Sequence, residues 1–243
     1  VLRAALLAAI LAPLPGTAQE LPDAAAVIAR YQQAIGGREA FARYNSMQMV
    51  GELSVPAQGL VASMNAWAAR PNRAAMHISI AGFGEIRSGY TGAVAWSINP
   101  MEGPRILQGA ELTQAADEAA FESSLRGADL VKAATTVERT ALGGRDCLKV
   151  RIDWVSGRTS YDCYSEQTGL LIGTMGTQAT GMGEIDAVTL LDDYRDFGGI
   201  LMPARITIQV MGMEQIITVR EVSFEELPDS VFEAPVEIRA LIR

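Results

Sequence analysis

The chain has 243 residues, a formal charge of −8 and 49% hydrophobic residues. Its one histidine and two cysteines exclude a multi-histidine metal centre and a structural zinc site. An acidic chain with no lysine or arginine cluster is repelled by nucleic acid and by anionic membrane surfaces. A domain of this length buries roughly 70% of its unfolded surface, so it needs neither metal nor disulfide to fold.

Residues 1–18 read as a secretory signal peptide. Arg3 supplies the charge, residues 4–12 an apolar run, and Gly16, Thr17 and Ala18 a small-residue cleavage site. The run is too short to span a bilayer. An apolar anchor left uncleaved is the alternative. No cysteine follows the cleavage site, so no lipid is expected there. The expected organisation is a signal peptide over 1–18 and one domain over 19–243, exported to the periplasm.

Asp23 is placed to cap a helix in which Ala24, Val27, Ile28, Tyr31 and Ile35 share one face, ended by Gly36-Gly37. A short second helix is expected over 38–44. Strands follow over 47–55, 60–69, 74–80, 85–90 and 94–98, separated by turn residues. Met76, Ile78 and Ile80 alternate with His77 and Ser79, the period of a half-buried strand. Asn99 to Pro104 reads as a rigid loop.

An Ala-rich helix is expected over 111–125. Leu112, Ala115, Ala116 and Ala119 make a small-residue face, and Asp117, Glu118 and Glu122 a polar one. Such a face fits ordinary packing and also a lid of modest contact area. A second run of strands covers 135–142, 145–155, 158–164, 170–178, 185–197, 200–211 and 215–224. The tail after Pro228 reads as irregular. Here Leu148, Val150, Ile152 and Trp154 share one face, as do Ile206, Ile208 and Val210.

Cys147 and Cys163 lie on the two arms of a hairpin turning near Ser156-Gly157. A two-residue turn would set Cys163 opposite Val150, so a disulfide would require a bulge. A bridge and two separate thiols are both left open.

No nucleophile elbow, zinc-protease, P-loop or dinucleotide motif is present. His77 falls on the polar face of its strand. Asp192, Asp193 and Asp196 lack calcium-loop spacing and read as a solvated strand end. Spacing nominates no catalytic pair, so no catalytic residue, metal or cofactor is expected.

Four strings carry a family resemblance: Ala34-Ile35-Gly36-Gly37-Arg38-Glu39-Ala40, Trp96-Ser97-Ile98-Asn99-Pro100-Met101, Gln167-Thr168-Gly169-Leu170-Leu171 and Asp193-Tyr194-Arg195-Asp196-Phe197-Gly198-Gly199, with Met202-Pro203. With the order helix, strands, helix, strands, they resemble the LolA/LolB-like superfamily of periplasmic lipoprotein-binding proteins, in particular its uncharacterised lipoprotein-sorting-like members. The resemblance implies an α+β, mostly β fold. It would be a strongly curved antiparallel sheet, an unclosed barrel of about eleven strands with helices plugging its concave side.

It also implies a carrier or binding protein for lipid or lipoprotein acyl chains, with a membrane-associated protein as a further possible partner. The wall candidates are then Met76, Ile78, Ile80, Trp96, Leu148, Val150, Ile152, Trp154, Ile206, Ile208 and Val210. A protein-interaction or sensor domain with a packed interior is the alternative, and an enzyme using the same concavity ranks below both. On the carrier reading, a charged residue at Ile152 should abolish lipid binding in a variant that stays folded.

Overall fold

In a computed structural model, which describes residues 20–181 and 183–242, the expected signal peptide lies outside the described residues. Asp23 caps helix α1 (Ala24–Ala34), its carboxylate accepting from the Ala25 amide at 3.2 Å. The apolar positions at helical spacing, Ala24, Val27, Ile28, Tyr31 and Ile35, are all buried. The helix stops at Gly36, which has φ +105°, and α2 (Gly37–Ala42) begins. A Cβ on Gly36 would fall 2.5 Å from the Gly199 carbonyl oxygen, so only glycine lets this corner meet the sheet.

Among the described residues, thirteen strands form one antiparallel sheet. The first meander is β1 (Ser46–Val55), β2 (Leu60–Ala69), β3 (Arg73–Ile80), β4 (Gly84–Tyr90), β5 (Ala95–Asn99) and β6 (Gly103–Ile106). Helix α3 (Ala110–Ala119) follows. The second meander is β7 (Val131–Leu142), β8 (Arg145–Trp154), β9 (Thr159–Tyr164), β10 (Leu171–Thr180), β11 (Gly183–Phe197), β12 (Ile200–Val210) and β13 (Met213–Ser223). A four-residue helix, α4 (Val236–Arg239), closes the chain.

The spatial order is β6-β5-β4-β3-β2-β1-β13-β12-β11-β10-β9-β8-β7. Each meander runs outward from the β1–β13 seam to a free edge, and α3 connects edge strand β6 to edge strand β7. The sheet does not close, so the fold is the expected curved half-barrel, with thirteen strands rather than about eleven. Relative to the twelve strands read from the sequence, the addition is β6, whose Pro104 suggested a loop. Proline is tolerated there because β6 pairs only with β5 and lies at the edge.

The largest core packs α1 and α2 on β8, β9 and β12, joining Tyr31, Ile35 and Phe41 to Val150, Ile152, Tyr164 and Ile200. Three of the resembling strings are docking devices for these helices. The Gly198-Gly199 turn accepts Arg43 and Tyr44 on the Gly198 carbonyl. Arg30 of α1 donates to the Glu166 and Gln167 carbonyls of the β9–β10 turn at 2.7 and 2.8 Å.

Helix α3 is shorter than expected. It ends at Ala119, and Phe121 turns inward, its amide bonded to the Pro71 carbonyl at 3.1 Å. Residues Ser123–Leu125 form a single 3-10 turn, and Leu125 is buried in the main core. The C-terminal segment is ordered rather than irregular. It lies on the opposite, outer face, where Ala234 and Ile238 pack on Trp96 and the ion pairs Arg73–Asp229 and Arg87–Glu237 hold it.

Cys147 and Cys163 form a disulfide, with Cα atoms 5.5 Å apart. The expected obstacle disappears because the hairpin loop has three residues, Val155-Ser156-Gly157. The Trp154 amide bonds to the Arg158 carbonyl across it. Cys163 therefore sits opposite Lys149 instead of Val150. A one-residue shift moves a side chain to the other face, which here puts both sulfurs on the outer face. The bridge closes a sequence separation of 16, so replacing both cysteines with serine should cost about 3 kcal/mol of unfolding free energy. A lower urea midpoint for the serine variant, reproduced by reductant on the wild type, is the expected result.

Candidate functional site

The inner face of the sheet is the one carrying α1, α2 and α3. Directly paired residues share a face, so the register traces an aliphatic row across it. Ile80 lies opposite Ala62, Ala62 opposite Leu53, Leu53 opposite Ile217, Ile217 opposite Ile206, and Ile206 opposite Leu191. A parallel row runs Ile86, Ile78, Met64, Gly51, Val219. Leu53, Met76, Ile80, Ile86, Ile206 and Ile217 remain half-buried. This stretch lies between the core under α1 and α2 and the cluster under α3.

The N-terminal part of α3 is anchored to β6 by a paired hydrogen bond between Arg105 and Glu111, at 2.6 and 3.0 Å. Leu112, Ala115, Ala116 and Ala119 rest on Ala74, Tyr90 and Ala95 of the first meander. Its contacts with the second meander are polar. The Gln114 side-chain oxygen accepts from the Ala179 amide at 2.8 Å. Asp117 accepts from the Ser156 hydroxyl at 2.7 Å and from Arg158 at 3.0 Å. The helix thus spans the inner side between the two arms, apolar on one and hydrogen-bonded on the other.

A cavity of about 330 Å³ lies between α3 and β8–β12. Its charged lining is Asp117, Glu118, Arg126, Arg158 and Asp162; Trp154 and Ile208 are among its apolar residues. Arg126 follows the 3-10 turn in a left-handed conformation, φ 51°. Its Nε donates to Asp162 Oδ2 at 2.8 Å and its Nη1 to the Ser123 carbonyl at 2.8 Å. Tyr164 donates to the same Asp162 Oδ2 at 2.9 Å. Trp154 lies under both guanidiniums, 5.1 Å from Arg126 and 5.7 Å from Arg158.

Burial acts against the Arg126 charge, but Asp162 beside it more than offsets this and leaves its pKa above the ordinary arginine range. Burial holds the Tyr164 phenol well above its usual pKa, reinforced by the Asp162 charge. Burial also pushes Tyr31 up to about 12, with Arg126 opposing and Asp162 assisting. Glu118 keeps accessible surface, yet it lines the cavity, and lost hydration raises its pKa against the opposing hydrogen bond from Gln114. Tyrosines held this far from ionisation serve as donors, not as bases, at neutral pH.

Ten of the eleven expected wall residues lie on the inner face, and Trp96 does not. Ala95 points toward α3 and Trp96 toward α4, because adjacent strand residues face opposite sides. Leu148, Val150 and Ile152 face inward but are covered by α1 and α2, as packed core rather than open wall. Ile152 is fully buried, so a charge there would unfold the protein rather than report on binding. Trp154 and Ile208 line the cavity. Met76, Ile78, Ile80 and Ile206 belong to the aliphatic stretch, and Val210 lies beside Ile208 on the same face of β12.

Arg126, Arg158 and Asp162 were not anticipated as site residues. In β9 the alternation sets Tyr161 and Cys163 against Ser160, Asp162 and Tyr164, and polarity alone would turn Asp162 outward. Its partners Arg126 and Tyr164 make the inward position tenable.

No protein-family model matches the sequence, and no curated protein matches it. The fold does match solved structures. A LolA superfamily protein from Nitrosomonas europaea aligns with TM-score 0.57 at 11% identity, over 88% of this chain and 99% of its own. A DUF1329 family protein from Desulfovibrio piger aligns with TM-score 0.58 at 10% identity, over 88% and 98%. A domain described as an outer membrane lipoprotein-sorting protein from Vibrio parahaemolyticus aligns with TM-score 0.51 at 10% identity, over 84% and 97%. The fold is LolA-like.

Asp162 is fully buried and the Arg126 side chain is 12% exposed. Removing one partner of such a pair leaves an uncompensated charge, which costs about 3–5 kcal/mol. Arg126→Gln should therefore lose about that much in denaturant unfolding. A loss below about 1 kcal/mol would show that solvent or another side chain takes the place of Arg126.

Proposed function

We propose that the protein binds the acyl chain of a lipid or lipoprotein along the inner face of the half-barrel, as a periplasmic carrier and not as an enzyme. The observation that supports this most is the aliphatic row from Ile80 to Leu191. Its middle members are half-buried, and no helix among the described residues is packed on them. A polymethylene chain laid along it would gain roughly 0.8 kcal/mol for each methylene removed from water. The Cys147–Cys163 bridge fits an oxidising compartment. The paired arginines lining the cavity are suited to binding rather than to proton transfer.

The wall residues of this reading are Met76, Ile78, Ile80, Trp154, Ile206, Ile208 and Val210. The test is displacement of a fluorescent fatty-acid probe, together with native mass spectrometry of protein purified without detergent. Ile208→Asp and Ile206→Asp each place a charge on a half-buried inner position. Each should weaken probe binding by about tenfold or more, near 1.4 kcal/mol, while circular dichroism stays unchanged. A wild-type protein that takes up no probe and carries no lipid would refute the carrier reading and favour an interaction domain with a filled interior.

A further inference from the structure

The cavity beside the aliphatic stretch has an imbalance of charge that the fold does not resolve. Five charged side chains line it. Arg158 is committed to Asp117, and Arg126 to Asp162 Oδ2 and the Ser123 carbonyl. Both guanidiniums also lie over Trp154. The cations are therefore occupied. One carboxylate oxygen is not. Glu118 is solvent-exposed at the cavity rim and accepts from the Gln114 amide at 2.7 Å. Asp162 is fully buried, and no donor among the described residues reaches its Oδ1.

A buried carboxylate oxygen without a donor is costly, and native structures seldom leave one unmatched. Here the unmatched oxygen belongs to a residue of the cavity wall, and the exposed Glu118 carboxylate lines the same cavity. An anionic head group entering this space would meet surplus negative charge and two arginines already engaged. A group bringing N–H donors and positive charge would satisfy both carboxylates. Ile208 belongs to this cavity and follows Ile206 of the aliphatic row on the same face of β12. A head group seated here could therefore continue into a chain lying along the row.

We propose that this cavity is a head-group seat selective for a primary ammonium, held by Asp162 Oδ1 and Glu118, on an amphiphile whose alkyl portion runs from Ile208 onto the aliphatic row. The inference rests on the carrier reading and narrows it. It selects amine-bearing amphiphiles over fatty acids and other anions. The amine can belong to a lipid or to the free N-terminus of an acylated peptide.

The experiment compares chain-matched competitors against the fluorescent probe: dodecylamine, dodecanol and dodecanoate, each below its micellar concentration. A second arm compares a lipopeptide with a free N-terminal amine and its N-acetyl form. Dodecylamine should compete at least about tenfold better than dodecanoate, with dodecanol between. Glu118→Gln and Asp162→Asn should each erase most of that preference for dodecylamine over dodecanol and dodecanoate. Asp162→Asn perturbs a buried ion pair, so Glu118→Gln, at the cavity rim, serves if the other variant does not fold.

Amine preference in both arms supports the seat and admits a peptide source. Preference confined to dodecylamine supports it for lipids. Equal competition by all three head groups, or preference for the carboxylate, overturns the seat and leaves chain binding intact. No uptake of the fatty-acid probe or of a neutral fluorescent fatty-alcohol probe, and no co-purified lipid, overturns the carrier reading itself.

Discussion

The pairing of β1 with β13 is the constraint on which the rest of the molecule depends. Every other ladder joins strands that follow each other along the chain, whereas this one pairs residues as far apart as Gln48 and Ser223. Bringing such distant segments together carries a loop-closure cost that local hairpins avoid. In return, the seam sets the two meanders side by side and aligns their inner faces. Leu53 meets Ile217 across it, so the aliphatic residues of β2 and β3 continue into those of β12 and β11. A register shift between Val50 and Gly51 bends the seam. Gly51 is required there, because a Cβ would collide with the Thr218 carbonyl oxygen.

The inner face is covered unevenly, and that unevenness is what separates scaffold from site. At one end, α1 and α2 place large side chains on β8 and β9, and the sheet is packed as any core would be. At the other, α3 offers mainly methyl groups to Tyr90 and Ala95. Between them lie half-buried aliphatic residues and a cavity lined by ionised groups. Taking the Arg126–Asp162 pair out of water costs desolvation that well-packed apolar residues would not incur. An apolar residue in each position would serve stability as well, so the charges are better understood through what they can recognise.

Much of this was legible in the sequence. Helix α1 announced itself through Asp23 and five apolar residues at helical spacing, and most strands through alternation bounded by glycines. What the sequence withheld has definite physical causes. Alternation identifies two faces of a strand without saying which is inner. In β5 both faces are covered, by α3 and by the C-terminal segment, so Ala95 and Trp96 are equally buried and the larger residue misleads. One extra residue in the β8–β9 loop decided the disulfide. The Arg126–Asp162 contact spans 36 positions and links a turn to a strand, so neither residue signals the other locally. The resembling strings proved informative for a mechanical reason, since three of them fix how helices and turns seat on the sheet.

Helix α3 belongs to the segment that ties one free edge of the sheet to the other. It therefore acts as the string of a bow whose limbs are the two meanders. Flattening the sheet would stretch this segment and pull α3 from its seats on Ala95 and Arg158, while shifting α3 would let the limbs relax. Curvature and cover are thus one coordinate, and whatever fills the space beneath the string also sets how far the bow is bent.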